Sequence, residues 1–214
     1  MTLWVEGFLV LLVLTNLWLL GSSRLFPCIA AVAVQGVLLG ALPLAVRIDA
    51  PAWRLALQAG LSLGLKGIAF PLLLLRAARS LEVKREVEPF VGYPASLIAG
   101  IALLAASLAL GARLPIPGAL RPLLLVPAVF FTAFTGLFVI VGRKSAIMQV
   151  LGYLAMENGI AGFGMALAER EPLLVEMGTF LDAFVAVFVM GITIFHINRE
   201  FDHIDSGRLS SLKD

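Results

Sequence analysis

Charge is scarce in this chain. Asp, Glu, Lys and Arg make up 14% of its 214 residues, against 60% hydrophobic. A water-soluble domain of this length keeps roughly a quarter of its residues charged so that its surface is solvated, so a soluble enzyme or binding domain is excluded. A single cysteine, Cys28, excludes an intramolecular disulfide and any cysteine-ligated cluster held by this chain alone. The two histidines, His196 and His203, lie at or beyond the last apolar run. A metal or haem centre would lack ligands, and no cofactor is expected. No basic patch with interleaved aromatics is present, which argues against a nucleic-acid partner. Polar sequence is equally short, amounting to "RAARSLEVKREVEPFVGYP" and the tail from Asn198 to Asp214. So little aqueous material suits a subunit of a larger membrane assembly.

What fills the chain is a series of apolar runs about 20 residues long, the length needed to cross a ~30 Å hydrocarbon core at 1.5 Å per helical residue. The expected fold is an all-α polytopic transmembrane bundle of about seven spans, roughly 3–21, 25–46, 53–79, 94–112, 121–141, 146–168 and 172–197. "GSSR", "RIDAPAWR", "LEVKREVEP", "GARLPIPGALRP", "GRK" and "EREP" punctuate them, since neither a proline ring nor a charge belongs inside an apolar run. The first run has no basic residue ahead of it, carries Glu6 and lacks a small-x-small cleavage site, so it reads as a retained helix rather than a signal peptide. Trp4, Trp18 and Trp53 lie near span ends, as interface anchors do. Placing the N-terminus outside puts Arg24, Arg76, Arg79, Lys84, Arg85, Arg143, Lys144, Arg199, Arg208 and Lys213 inside. The outer loops then hold Arg47, Arg54, Arg113, Arg121 and Arg170. That basic excess favours N-out and C-in.

Three charged side chains fall near the middle of spans: Lys66, Glu157 and Asp182. An ionised group at mid-bilayer costs at least ~2.5–3.5 kcal/mol on insertion scales, so each is a functional candidate by default. A structural reading stands beside it, in which a buried acid is half of a fixed ion pair. An interior set of acids and a lysine is also the pattern of a proton relay, because burial moves both kinds of group toward neutrality. Tyr153 and Thr179 lie one turn from Glu157 and Asp182 and could hydrogen-bond them. Lys66 sits in "GLSLGLKGIAFP", where Gly60 and Gly64 form a GxxxG packing pattern. Pro71 there cannot donate to the carbonyl of Gly67. That helix is either a switch element or a packing helix whose lysine pairs with a partner's acid. Gln35 matches Glu157 in a weak repeat, each a polar residue at mid-helix after a basic inner end. Glu176, with Glu169 and Glu171, reads as a solvated outer loop charge or a proton exit.

"GRKSAIMQVLGYLAMENGIAGFGMAL", "EMGTFLDAFVAVFVM", the closing "LSSLKD" and the earlier "LKGIAFPLLLLRAAR" resemble component E of hydrogenase-4-type complexes. The last three expected spans are further similar to the K subunit of complex I and the C subunit of Mrp-type antiporters. That similarity divides the chain into helices 1–4 over 1–115 and a three-helix module with a short tail over 116–214. It also implies that Glu157 and Asp182 are relay acids, Asp182 standing where complex I carries a glutamate. The implied setting is the bacterial or archaeal cytoplasmic membrane, in a group 4 nickel–iron hydrogenase or formate hydrogenlyase-like complex. Antiporter-like large subunits, a complex I-like anchoring subunit and peripheral hydrogenase and iron–sulfur subunits would be partners. The redox chemistry would be theirs. An Mrp-like cation/proton antiporter subunit and a purely structural spacer are the alternative readings.

Overall fold

The computed structural model describes residues 2–46, 62–80, 89–114 and 124–167, with single positions 53, 56, 59 and 60. Its regular structure is helical, and no β-sheet occurs among the described residues. α1 spans Thr2–Gly21 and α2 spans Leu25–Val46. α3 combines a π-helical stretch, Leu63–Ala69, with the α-helix Phe70–Ser80 that continues it. α4 is Tyr93–Arg113, α5 is Leu125–Gly142 and α6 is Ala146–Leu167. Four of these, α1, α2, α4 and α5, are both long and apolar enough to cross a bilayer. α6 has the length, with 22 residues, but Gln149, Glu157 and Asn158 interrupt its apolar character. The chain is a multi-pass membrane protein built as a helix bundle. The expected seventh span, with Glu176, Thr179 and Asp182, lies outside the described residues.

The tightest packing joins α5 to α6 across the short link Arg143–Ser145. Glycine sets the approach. A Cβ on Gly136 would strike the backbone of Met156 and Gly152, and one on Gly159 would strike the backbone of Ala133 and Val129. These contacts are backbone to backbone, so no rotamer change relieves them. Gly136→Ala should therefore cost about 1–3 kcal/mol or more through overpacking. Gly64→Ala, where nothing lies within 4 Å of the added carbon, should be neutral or gain up to ~1 kcal/mol from helix propensity. Thermal unfolding of the two variants in one detergent, side by side, checks the contrast.

The same observation corrects the GxxxG expectation. Among the described residues, Gly60 and Gly64 are exposed and nothing lies within 4 Å of an added Cβ. The close approach to α3 is instead made from α2, whose Gly36 faces the backbone and Cβ of Lys66 and whose Gly40 faces Ser62.

Among the described residues, two apolar clusters form the interior. One contains Leu19, Leu20, Leu25, Cys28, Ile29, Val32, Phe70, Leu74, Met148 and Leu151. The other contains Val5, Leu9, Leu12, Leu39, Leu42, Leu125 and Val129. Along α1 and α2 they occupy opposite ends of each helix. The stretch between them is where the polar residues sit.

Candidate functional site: a polar layer around a buried ion pair

The π-helical stretch of α3 follows from its sequence. Pro71 has no N–H and its ring crowds the carbonyl four residues back, which disfavours a regular α-turn at this point. The preceding amide, Phe70 N–H, donates to Leu65 O, five residues back, as in a π-turn. Lys66 lies within that widened turn. It is 6% exposed, and its stem lies against Gly36 of α2, where any side chain would collide with it.

Its ammonium meets Glu157 of α6. Lys66 Nζ and Glu157 Oε1 are 2.9 Å apart, with Glu157 1% exposed. The contact is an ion pair whose direction departs from hydrogen-bond geometry, and Glu157 Oε2 accepts no hydrogen bond among the described residues. Two charges taken out of water stabilise each other strongly only when their remaining lone pairs and protons are also satisfied. Glu157 Oε2 is not so engaged among the described residues, which leaves the carboxylate with unused capacity to accept a proton or a hydrogen bond.

The pair belongs to a wider layer. Asn16 of α1 donates from Nδ2 to Thr132 Oγ1 of α5 at 2.7 Å and to Leu12 O at 3.0 Å. Gln35 of α2 donates from Nε2 to Asn16 Oδ1 at 3.0 Å. Thr132 in turn donates to Ala128 O at 2.7 Å. Asn16, Gln35, Thr132 and Thr135 are fully buried and Asn158 is 1% exposed. Gln35 Oε1, Thr135 Oγ1 and Asn158 Oδ1 find no partner among the described residues. Asn158 and Lys66 also line a cavity of about 10 Å³, close to the smallest that admits a water molecule.

Lys66, Glu157 and Gln35, the mid-span polar residues singled out above, lie in the layer. Asn16, Thr132 and Asn158 join them without a formal charge to mark them in the sequence. Tyr153 packs beside the apolar cluster and does not hydrogen-bond Glu157, whose neighbour is Lys66.

A second buried cation closes the bundle at one end. Arg143, in the α5–α6 link, is fully buried. Its Nη2 donates to Leu20 O at the end of α1 at 2.6 Å and its Nη1 to Val91 O ahead of α4 at 3.4 Å. The guanidinium stacks over the Tyr93 ring, 4.4 Å from its centroid. Gln149 of α6 donates to the Arg143 carbonyl at 3.0 Å, and Val91 N–H donates to Gly142 O at 3.2 Å. The residue looked from sequence like one of several inner loop charges; it ties three helix ends together.

No family model and no solved structure matches the chain. Among curated proteins it is 32% identical over 207 residues to the uncharacterized protein Rv0085 of Mycobacterium tuberculosis, covering 95% of this chain and 93% of that one. It is also 35% identical over 150 residues to hydrogenase-4 component E of Escherichia coli K12, covering 69% of this chain and 68% of the relative. Component E of Shigella flexneri matches to the same extent. With an apolar helix bundle, a buried acid in the "MENG" stretch and this identity, the chain belongs to the hydrogenase-4 component E family.

Proposed function

We infer that the chain is an integral membrane subunit of a hydrogenase complex, and that its buried polar layer takes part in moving protons or Na⁺ in step with redox chemistry in partner subunits. The observation that carries this reading is the Lys66–Glu157 pair, 2.9 Å apart and almost wholly withdrawn from water. A carboxylate with one oxygen facing a lysine and the other unengaged can alternate between pairing with that lysine and taking up a proton. The π-turn gives Lys66 a backbone with weaker regular hydrogen bonding, and such turns recur at functional sites. Glu157 and Lys66 would be relay groups, with Gln35 as a neighbouring auxiliary. Asp182 would be a further relay acid, with Thr179, Tyr153 and Glu176 auxiliary to the path. The assembly is of the group 4, complex I-related kind, in a cytoplasmic membrane with the N-terminus outside. Antiporter-like and anchoring membrane subunits and peripheral nickel–iron and iron–sulfur subunits would be the partners.

The test is Glu157→Gln in the complex reconstituted into vesicles, once assembly is verified. Redox turnover and transmembrane pH change are followed together. A loss of at least about tenfold in pH change per turnover is the expected result. An unchanged ratio would sink the relay.

One observation favours a second reading. A direct ion pair between two helices can also be a static lock that fixes α3 against α6. In that case Glu157→Gln would weaken assembly and activity in parallel, and an uncharged apolar pair at both positions would restore both.

A further inference from the structure

The end of the bundle tied by Arg143 also carries a groove. It opens between the last turns of α1, the link to α2 and the first turns of α4, and has a volume of about 680 Å³. Leu14, Leu17 and Leu97 form its apolar wall, with Trp18 beside them; Ser23 and Arg24 form its polar rim. The wall is open to the surroundings, with Leu14 54%, Trp18 59% and Leu97 38% exposed. The rim is held in place: Ser22 N–H donates to Trp18 O at 3.0 Å, and Arg24 N–H donates to Ser22 Oγ at 3.2 Å.

Charge selects the occupant. Arg24 is exposed, no carboxylate lines the groove, and its guanidinium forms no ion pair among the described residues. Glu6 and Glu157 are the only acids described, one near the far end of α1 and the other inside the layer. Among the described residues, the Arg24 end is also the basic end of the bundle, with Arg76, Arg79, Arg143 and Lys144. A basic excess marks the cytoplasmic side, where the leaflet is rich in anionic lipid.

We propose that this groove binds an anionic phospholipid of that leaflet. Arg24 and the Ser23 hydroxyl hold the phosphate, and an acyl chain runs along Leu14, Leu17 and Leu97 past Trp18. A free phosphate would engage the rim and leave the apolar wall bare, so the lipid is the source that satisfies both halves. The groove is independent of the polar layer, and the proposal stands whether or not that layer moves protons.

Trp18 supplies the readout. The full chain, with Trp4→Phe and Trp53→Phe so that Trp18 alone emits, is placed in phosphatidylcholine vesicles containing a small fraction of brominated phosphatidylglycerol or brominated phosphatidylcholine. Saturable quenching by the glycerol lipid at mole fractions where the choline lipid quenches little is expected. Arg24→Gln should reduce that preference about fivefold, the ~1 kcal/mol attraction of one basic side chain to an anionic surface, while Arg24→Lys retains most of it. Inorganic phosphate should not displace the brominated lipid. Equal quenching by the two lipids, or an Arg24→Gln variant with unchanged preference, overturns the proposal. Displacement by inorganic phosphate does so as well. The same measurement on the assembled complex adds a further condition: a Trp18 shielded from both lipids there means that a partner helix occupies the groove instead.

Discussion

Lys66→Met should destabilise the bundle by about 3–5 kcal/mol, because it leaves Glu157 buried without the ammonium that neutralises it. Adding Glu157→Leu to the same chain should recover most of that loss, since a buried ion pair and an apolar pair of similar volume are often equal in stability or differ in favour of the apolar pair. The expected double-mutant coupling is therefore large, at least about 2 kcal/mol, well above the few tenths found between distant sites. Unfolding of the four proteins in one detergent measures it. A coupling near zero would mean that the 2.9 Å contact carries no energy. The double variant also separates the two functional readings: restored assembly with restored pH change supports the lock, and restored assembly without it supports the relay.

The second large effect is expected at Arg143. Arg143→Ala removes a charge-assisted hydrogen bond to Leu20 O and a longer one to Val91 O, together with the stacking on Tyr93. Hydrogen bonds to charged groups contribute about 1.5–3 kcal/mol each, and buried carbonyls left unpaired add their own desolvation penalty. The 3.4 Å bond to Val91 O adds little, so a loss of about 2–4 kcal/mol follows. Arg143→Lys should recover less than half of it, because one ammonium cannot reproduce a planar fork reaching two carbonyls while lying flat on a ring. Hydrogen exchange is the more telling measurement. The Val91 amide, bonded to Gly142 O, should exchange at least tenfold faster in either variant, while amides in the middle of α5 stay protected. Uniform acceleration along the chain would show instead that Arg143 supports the whole bundle and not this corner.

The helices were legible because membrane spans advertise themselves. Lipid demands about 20 apolar residues, and the punctuation between runs is charged or contains proline. The expected ends at 25 and 46 coincide with α2, and those of α1, α4, α5 and α6 fall within a few residues. Depth was legible too, which is why Lys66 and Glu157 stood out. Their pairing was not, since it depends on how α3 and α6 rotate about their axes, and one sequence holds no record of that. Asn16 and Thr132 escaped for a different reason. An amide or hydroxyl lowers hydropathy far less than a charge, and a lone one in an apolar helix can bond its own backbone. The glycines make the point most plainly. Gly60–Gly64 and Gly36–Gly40 share one spacing, yet among the described residues only the second pair packs closely against another helix. The motif states that close packing is possible and leaves the partner open.

The two apolar clusters flanking the polar layer bear on energy conservation. A protein that keeps titratable groups in the bilayer risks short-circuiting the proton gradient its membrane stores. Leu9, Leu12 and Leu39 on one side, with Leu19, Val32 and Phe70 on the other, act as electrical insulation above and below the charged plane. Between such apolar layers, the path open among the described residues runs sideways, from one helix to the next, rather than straight through from one compartment to the other. Expressed without partners, the chain should leave the membrane's resistance unchanged.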